Sequence, residues 1–279
     1  MQKQLRAIFI LSGTAIGSGM ISLPLVLAHL GILPSLVLMG ICSFMTYISA
    51  LIRTELNLHS NSRFTLERVG FEFSGKGAAL LGNISLRLLQ FSLLSAYIYG
   101  LSTVLGAGNP AIKGLVAVAS FVLLAFSSQR IIDINQKLFL ALLAVVLVAI
   151  ICMVMKIDFG SFPQNTNKIL ASPFCIILPT LFTSFGFQGS LHSITKFCDN
   201  DPKLIKTACL WGSILPALVY AGWVVSVLVL IFSTQPALFA KMATHGIDID
   251  ELIKALSFIA KANVVKSAVF VISILAIVT

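Results

Sequence analysis

ILSGTAIGSGMISLPLV, residues 10–26, has the apolarity of a membrane-spanning helix except at its centre. Gly13, Gly17 and Gly19 crowd into seven positions, Thr14 and Ser18 stand among them, and Pro24 follows. A glycine weakens a helix interior by about 1 kcal/mol relative to alanine, and a proline by about 3 kcal/mol. Lipid offers a loosened backbone no replacement hydrogen bonds, so non-helical chain at that depth must line a cavity.

The surrounding sequence is that of a polytopic membrane protein. Of 279 residues, 58% are hydrophobic and 10% charged, against about 25% charged in a soluble domain, and the mean hydropathy is +1.01. No Asp, Glu, Lys or Arg occurs in 7–52, 169–195 or 207–240, and each run exceeds the ~18 residues that mark a transmembrane helix. The five cysteines lie scattered with no C-x-x-C pair; buried space-filling thiols are expected, with no metal and no cofactor. Lys3 and Arg6 before an apolar run imitate a signal peptide, but no small-residue cleavage site with a polar segment follows, so an uncleaved first helix is expected. The net charge of +9 sits in loops rather than on an aromatic-interleaved basic surface, which argues against nucleic acid as a partner.

The spans are placed at about 7–30, 34–52, 77–105, 113–129, 137–155, 171–193, 207–233 and from 264 onward. With the N-terminus in the cytoplasm, inner segments hold most of the basic residues, from Lys3 and Arg6 to Lys203 and Lys206. The short outer loops hold only Lys113, Lys156 and Lys168. Segment 234–263 is expected to form an outer surface helix. The last apolar stretch runs only 13 residues past Lys266, short of the ~20 that cross a bilayer, so a fragment or a partly inserted helix is expected there.

The sixth span repeats the anomaly of the first. PTLFTSFGFQGSLHS (179–193) carries Ser184, Gly186, Gln188, Gly189 and Ser190 at its centre. An offset of five spans reverses orientation across the membrane, and two Gly-interrupted segments at matching positions are the sign of an inverted-repeat transporter. The sequence therefore predicts an all-α, polytopic, single membrane domain over 1–279, with discontinuous helices 1 and 6. A first repeat spans about 7–155 and an incomplete second repeat about 171–279. Amides freed at the breaks, with the positive ends of half-helices, suit a carboxylate. The alternative is that each glycine set is only a close-packing face between helices.

GTAIGSGMISLP (13–24) and PTLFTSFGFQGS (179–190) resemble the corresponding segments of the aromatic and hydroxy amino acid permeases. These bacterial tyrosine- and tryptophan-specific transporters belong to the amino acid–polyamine–organocation superfamily, with its leucine-transporter-like fold. The resemblance covers the whole chain, though the family usually has more helices than this sequence supplies. It implies that the backbone amides of Gly17, Ser18 and Gly19 bind the substrate carboxylate. Carbonyls around Ala15, Ile16, Ser184 and Phe185 would accept from its ammonium, and Phe185, Phe187 and Gln188, beside Gly186, would face its side chain. It also implies proton symport by alternating access across the cell inner membrane. Similar sequences often carry His where Gln188 stands here, and His192 appears nearby instead.

In the third span, Asn83, Arg87, Gln90 and Tyr97 share one helical face. Arg87 is expected to face the bundle interior near an inner gate, with Tyr97 offering its hydroxyl to substrate. The alternatives are an Arg snorkelling to headgroups and a Tyr in the interface belt. His192 is a coupling candidate and His29 an interfacial residue. No Asp or Glu is placed inside a span, so coupling falls to a histidine, to carbonyl-bound sodium or to groups outside this chain. Expected functions are thus proton-coupled uptake of tyrosine or tryptophan, transport of small hydroxy amino acids such as serine and threonine, or an incomplete permease without transport of its own. A remote enzymatic alternative is an intramembrane serine protease built on Ser18 and a histidine.

Overall fold

The computed structural model describes residues 2–16, 19–59, 66–106, 111, 114, 115, 118, 119, 130–154, 171–244, 251, 252, 255 and 256. The regular elements among them are helical: α1 Gln2–Ala15, α2 Gly19–Leu27, α3 Ile32–His59, α4 Leu66–Gly106 and α5 Arg130–Val154. After these come α6 Ala171–Ser184, a 3-10 turn Gln188–Ser190, α7 Leu191–Phe197, α8 Pro202–Thr234 and α9 Pro236–Thr244. By length and composition, Ile32–His59, Ser74–Ser95 and Pro202–Thr234 can cross a membrane. Of the expected span at 113–129 only 114, 115, 118 and 119 are described, all helical, and the stretch from 264 lies outside the described residues.

Each helix boundary has a local cause. Gly31 adopts φ 80° between α2 and α3, where only glycine turns without strain. The Ser35 hydroxyl then donates to the Gly31 and Leu27 carbonyls. α8 opens on an Asp201 cap whose Oδ1 accepts from the Lys203 and Leu204 amides at 2.9 and 3.4 Å. Pro202 follows, where its missing N–H costs nothing. Two helices outrun the expected spans. α3 continues past residue 52 to His59, so Arg53 and Glu55 are helical. α4 begins well before 77 and bends at Gly75, φ 81°.

Contacts at the helix ends fix directions. Lys3 at the start of α1 pairs with Asp199 just after α7, 2.7 Å apart. Lys206 in the first turn of α8 reaches Glu55 near the end of α3 at 2.6 Å. At the opposite end, His29 Nδ1 donates to the Ala243 carbonyl in α9 at 2.9 Å. α1 and α2 therefore run with α8, whereas α6–α7 and α3 run against it. α8 touches α1, α2, α3, α5 and α9, its most extensive pairing being with α1. There Gly212 lets the helices close: an added Cβ would stand 2.8 Å from Leu11 Cβ. α4 packs only sparsely against the other described elements.

The distribution of polarity is that of a protein in lipid. α3 buries Ser35, Ser43, Thr46, Thr54 and Asn57 and exposes Leu33, Val37, Ile41, Phe44 and Ile52. A helix in water presents the reverse. With no hydrophobic drive between helices in lipid, small residues and interhelical hydrogen bonds supply the cohesion. The Ser43 hydroxyl donating to the Ser213 carbonyl across α3 and α8 at 3.1 Å is one such bond. The core divides into two apolar clusters. One takes Ile16, Met20, Leu23, Leu181, Phe185 and Trp223, and the other Leu11, Ala15, Phe187, Leu191 and Ile205. The seam between them passes between Ala15 and Ile16 and between Phe185 and Phe187.

Candidate functional site

Two helix ends meet at this seam. α1 keeps its helical bonding as far as Ile16, whose amide donates to the Ser12 carbonyl at 2.8 Å. Gly17 and Ser18 lie outside the described residues, and helix resumes at Gly19. α6 ends at Ser184. The Phe185 amide still donates to Leu181 at 3.0 Å, Gly186 tightens onto Thr183 at 3.2 Å, and the Phe187 amide donates to the Phe185 carbonyl at 3.1 Å. Gly186 suits this turn, since an added Cβ would lie 3.2 Å from both the Phe182 and Thr183 carbonyls. Ser190 then donates to Phe187 at 3.0 Å, and α7 begins.

The last carbonyls of a helix have no partner within it. Here a third helix supplies one. The buried Tyr220 of α8 donates its hydroxyl to the Ala15 carbonyl at 2.7 Å, with the Ser184 carbonyl at 3.4 Å. Its ring meets Phe185 edge-on at 5.4 Å. Gly19 closes the junction: an added Cβ would stand 2.6 Å from Ser184 Oγ, 2.6 Å from Tyr220 Oη and 2.7 Å from Ser184 Cβ. Three residues further along α8, Trp223 Nε1 donates to the Met20 carbonyl. Met20 stands four residues before Pro24, which has no N–H to return. The indole replaces the bond that the proline removes.

The structure thus brings Ala15, Gly19, Ser184 and Phe185 together, with Ile16, Gly186 and Phe187 beside them. Gln188 lies in the 3-10 turn, His192 in α7 and Tyr97 in α4; their side chains, like Gly17 and Ser18, are outside the described residues. Arg87 is exposed, and its Nε donates to Asn83 Oδ1, one turn earlier on the same helix, at 2.7 Å. The sequence reading missed Tyr220 and Trp223. Two polar-tipped aromatics three residues apart in a long charge-free span were the available signal, because a buried hydroxyl or indole N–H requires an acceptor. Among the described residues no cluster of His, Cys, Asp or Glu could hold a metal ion.

At the end of the bundle where α1 starts, the Lys3 ammonium beside Asp199 holds that carboxyl below the usual carboxylate range, and the pairing raises Lys3. Both side chains are exposed, so the pair adds little to stability and is screened by salt. Its contribution is present above the unfolded Asp value and disappears as pH falls through the lowered Asp199 value. Likewise it is present below the unfolded Lys value and disappears as pH rises through the raised Lys3 value. Asp199→Asn should therefore lower the melting temperature slightly at neutral pH. The difference from the parent should vanish in strong acid, in strong base and in about 1 M salt, as differential scanning fluorimetry can check.

A model of the tryptophan/tyrosine permease family matches residues 1–279. Tyrosine-specific transport system 1 of Haemophilus influenzae is 29% identical over 291 residues, taking in 100% of this chain and 70% of that protein. Glutamine transporter 2 of Aliivibrio fischeri is 29% identical over 280 residues, 97% of this chain and 70% of that protein. The tryptophan-specific transport protein of Shigella flexneri is 26% identical over 269 residues, 91% of this chain and 63% of that protein. No solved structure matches the chain.

Proposed function

Belonging as it does to the tryptophan/tyrosine permease family, a family of membrane transporters and not of enzymes, this chain, we propose, binds an aromatic amino acid at the junction of α1–α2 with α6–α7 for carriage across the membrane. The intramembrane protease reading falls away with family membership. The observation that carries the proposal is the meeting of the two helix ends, with Gly19 against Ser184 and the Tyr220 hydroxyl between the Ala15 and Ser184 carbonyls. Backbone carbonyls at helix ends suit an ammonium, and the N-terminal end of α2 suits a carboxylate. A zwitterion offers both.

In this reading the two pairs are the discontinuous helices 1 and 6 of a leucine-transporter-like inverted repeat, and their opposite directions support it. The N-terminus lies in the cytoplasm, the membrane is the inner one, and a symported proton drives uptake with alternating access. Tyr97 of α4 then offers its hydroxyl to the substrate, Arg87 stands near the inner gate and His192 is the coupling candidate.

The test is equilibrium binding of labelled L-tyrosine to the purified 279-residue chain, with competition by L-tryptophan, L-glutamine, L-serine and D-tyrosine. Displacement by L-tryptophan and not by D-tyrosine is the expected result. Absence of saturable binding would overturn the proposal. A relative that is named for glutamine keeps a second reading open, and L-glutamine outcompeting L-tryptophan would select it. For coupling, uptake by proteoliposomes should rise when the outer medium is made acidic and should not require sodium.

A further inference from the structure

Tyr220 does more than tie two helices. A phenol carries one hydroxyl hydrogen, yet two helix-end carbonyls face it, Ala15 at 2.7 Å and Ser184 at 3.4 Å. One donor cannot satisfy both fully. An ammonium brings three donors and a positive charge, and hydrogen bonds from a charged donor are roughly twice as strong as neutral ones. The hydroxyl also stands against Gly19, where a Cβ would come within 2.6 Å of it. It therefore occupies the space between the carbonyls and the start of α2, where the backbone of an amino acid would have to lie.

We propose that Tyr220 is the resident occupant of the ammonium position. Its hydroxyl holds the Ala15 and Ser184 carbonyls while the site is empty and yields them to the ammonium of an arriving amino acid. This rests on the amino acid reading above and deepens it. Tyr220 thereby sets specificity, because a ligand without an ammonium cannot displace the phenol and gains nothing from its removal. Its ring meets Phe185 edge-on at 5.4 Å, and only the hydroxyl has to leave the carbonyls.

Tyr220→Phe keeps the ring and deletes the donor. Binding of L-tyrosine and of its desamino analogue, 3-(4-hydroxyphenyl)propionate, is measured on both proteins. Displacing one neutral hydrogen bond corresponds to roughly a fivefold change in affinity. The variant should bind L-tyrosine about that much more tightly while its affinity for the desamino analogue stays unchanged, and its ligand-free melting temperature should fall. Equal changes for both ligands, or weaker binding of L-tyrosine, would overturn the proposal, the second by making the hydroxyl a clamp that works alongside substrate. If the parent protein binds neither ligand, the amino acid site itself is refuted. Should Tyr220→Phe not fold, fluorine NMR of the 3-fluorotyrosine-labelled parent, assigned by Phe replacement at Tyr47, Tyr97 and Tyr99, gives the same decision. The Tyr220 signal shifts on adding L-tyrosine and not the desamino analogue if the proposal holds, and shifts with neither or with both if it does not.

Discussion

Gly19→Ala will separate α2 from α6 and weaken ligand binding by roughly 5- to 150-fold, the equivalent of the 1–3 kcal/mol that overpacking costs. The new Cβ would lie 2.6 Å from Ser184 Oγ, which can rotate away, but also 2.7 Å from Ser184 Cβ, which cannot. Carbon atoms rest about 3.5–4.0 Å apart, so the two helices must part by about 1 Å. Tyr220 Oη, 2.6 Å from the same Cβ, is pushed from the carbonyls it serves. Labelled L-tyrosine binding measures the effect, and Gly40→Ala is the control. Gly40 lies in α3 with nothing within 4 Å of an added Cβ, so alanine there should leave binding unchanged and stabilise the helix by up to about 1 kcal/mol. Unchanged affinity in Gly19→Ala would mean that the two helix ends do not meet at this residue.

Gly212→Ala will strike the α1–α8 contact with comparable force and without touching the junction. Its Cβ would stand 2.8 Å from Leu11 Cβ and 3.3 Å from Leu11 Cδ1. Because Leu11 is fully buried and its Cβ is anchored to the α1 backbone, a change of rotamer relieves only the second clash. A loss of 1–3 kcal/mol at about 2–4 °C per kcal/mol for a chain of this size lowers the melting temperature by about 5 °C. Leu11→Ala alone opens a cavity at a cost of about 2–5 kcal/mol. The double variant should fall short of the sum of the two by the Cδ1 clash that Leu11→Ala removes, while the Cβ clash remains. Strict additivity would show that the two residues are not in contact.

Glycine placement singled out the stretches after Ala15 and after Ser184, because a weak point in a helix needs no knowledge of the rest of the chain. Pro24 has no N–H to return to the Met20 carbonyl, and the partner that Met20 finds instead lies far along the chain. What periodicity could not announce was the group that answers these carbonyls. Tyr220 lies 205 residues beyond Ala15 and Trp223 lies 203 beyond Met20, and nothing local to either partner names the other. Arg87 and its 3- and 4-residue companions define a face of α4, but what that face meets depends on neighbours, and α4 packs sparsely among the described residues. α3 outruns its expected span because the first charge after an apolar run marks where lipid could end, not where a helix must. Glu55 continues the helix and reaches Lys206 beyond it.

The 205-residue separation of Ala15 from the phenol that caps it has a consequence for biogenesis. A ribosome adding about 5–20 residues per second needs roughly 10–40 s to travel from one to the other. For that interval the first helix end exists and the phenol that caps it does not, while α6 ends only 36 residues before Tyr220. The nascent chain must keep its first helix end near water or a chaperoning surface until α8 arrives, so the central joint is among the last parts of the described bundle to close.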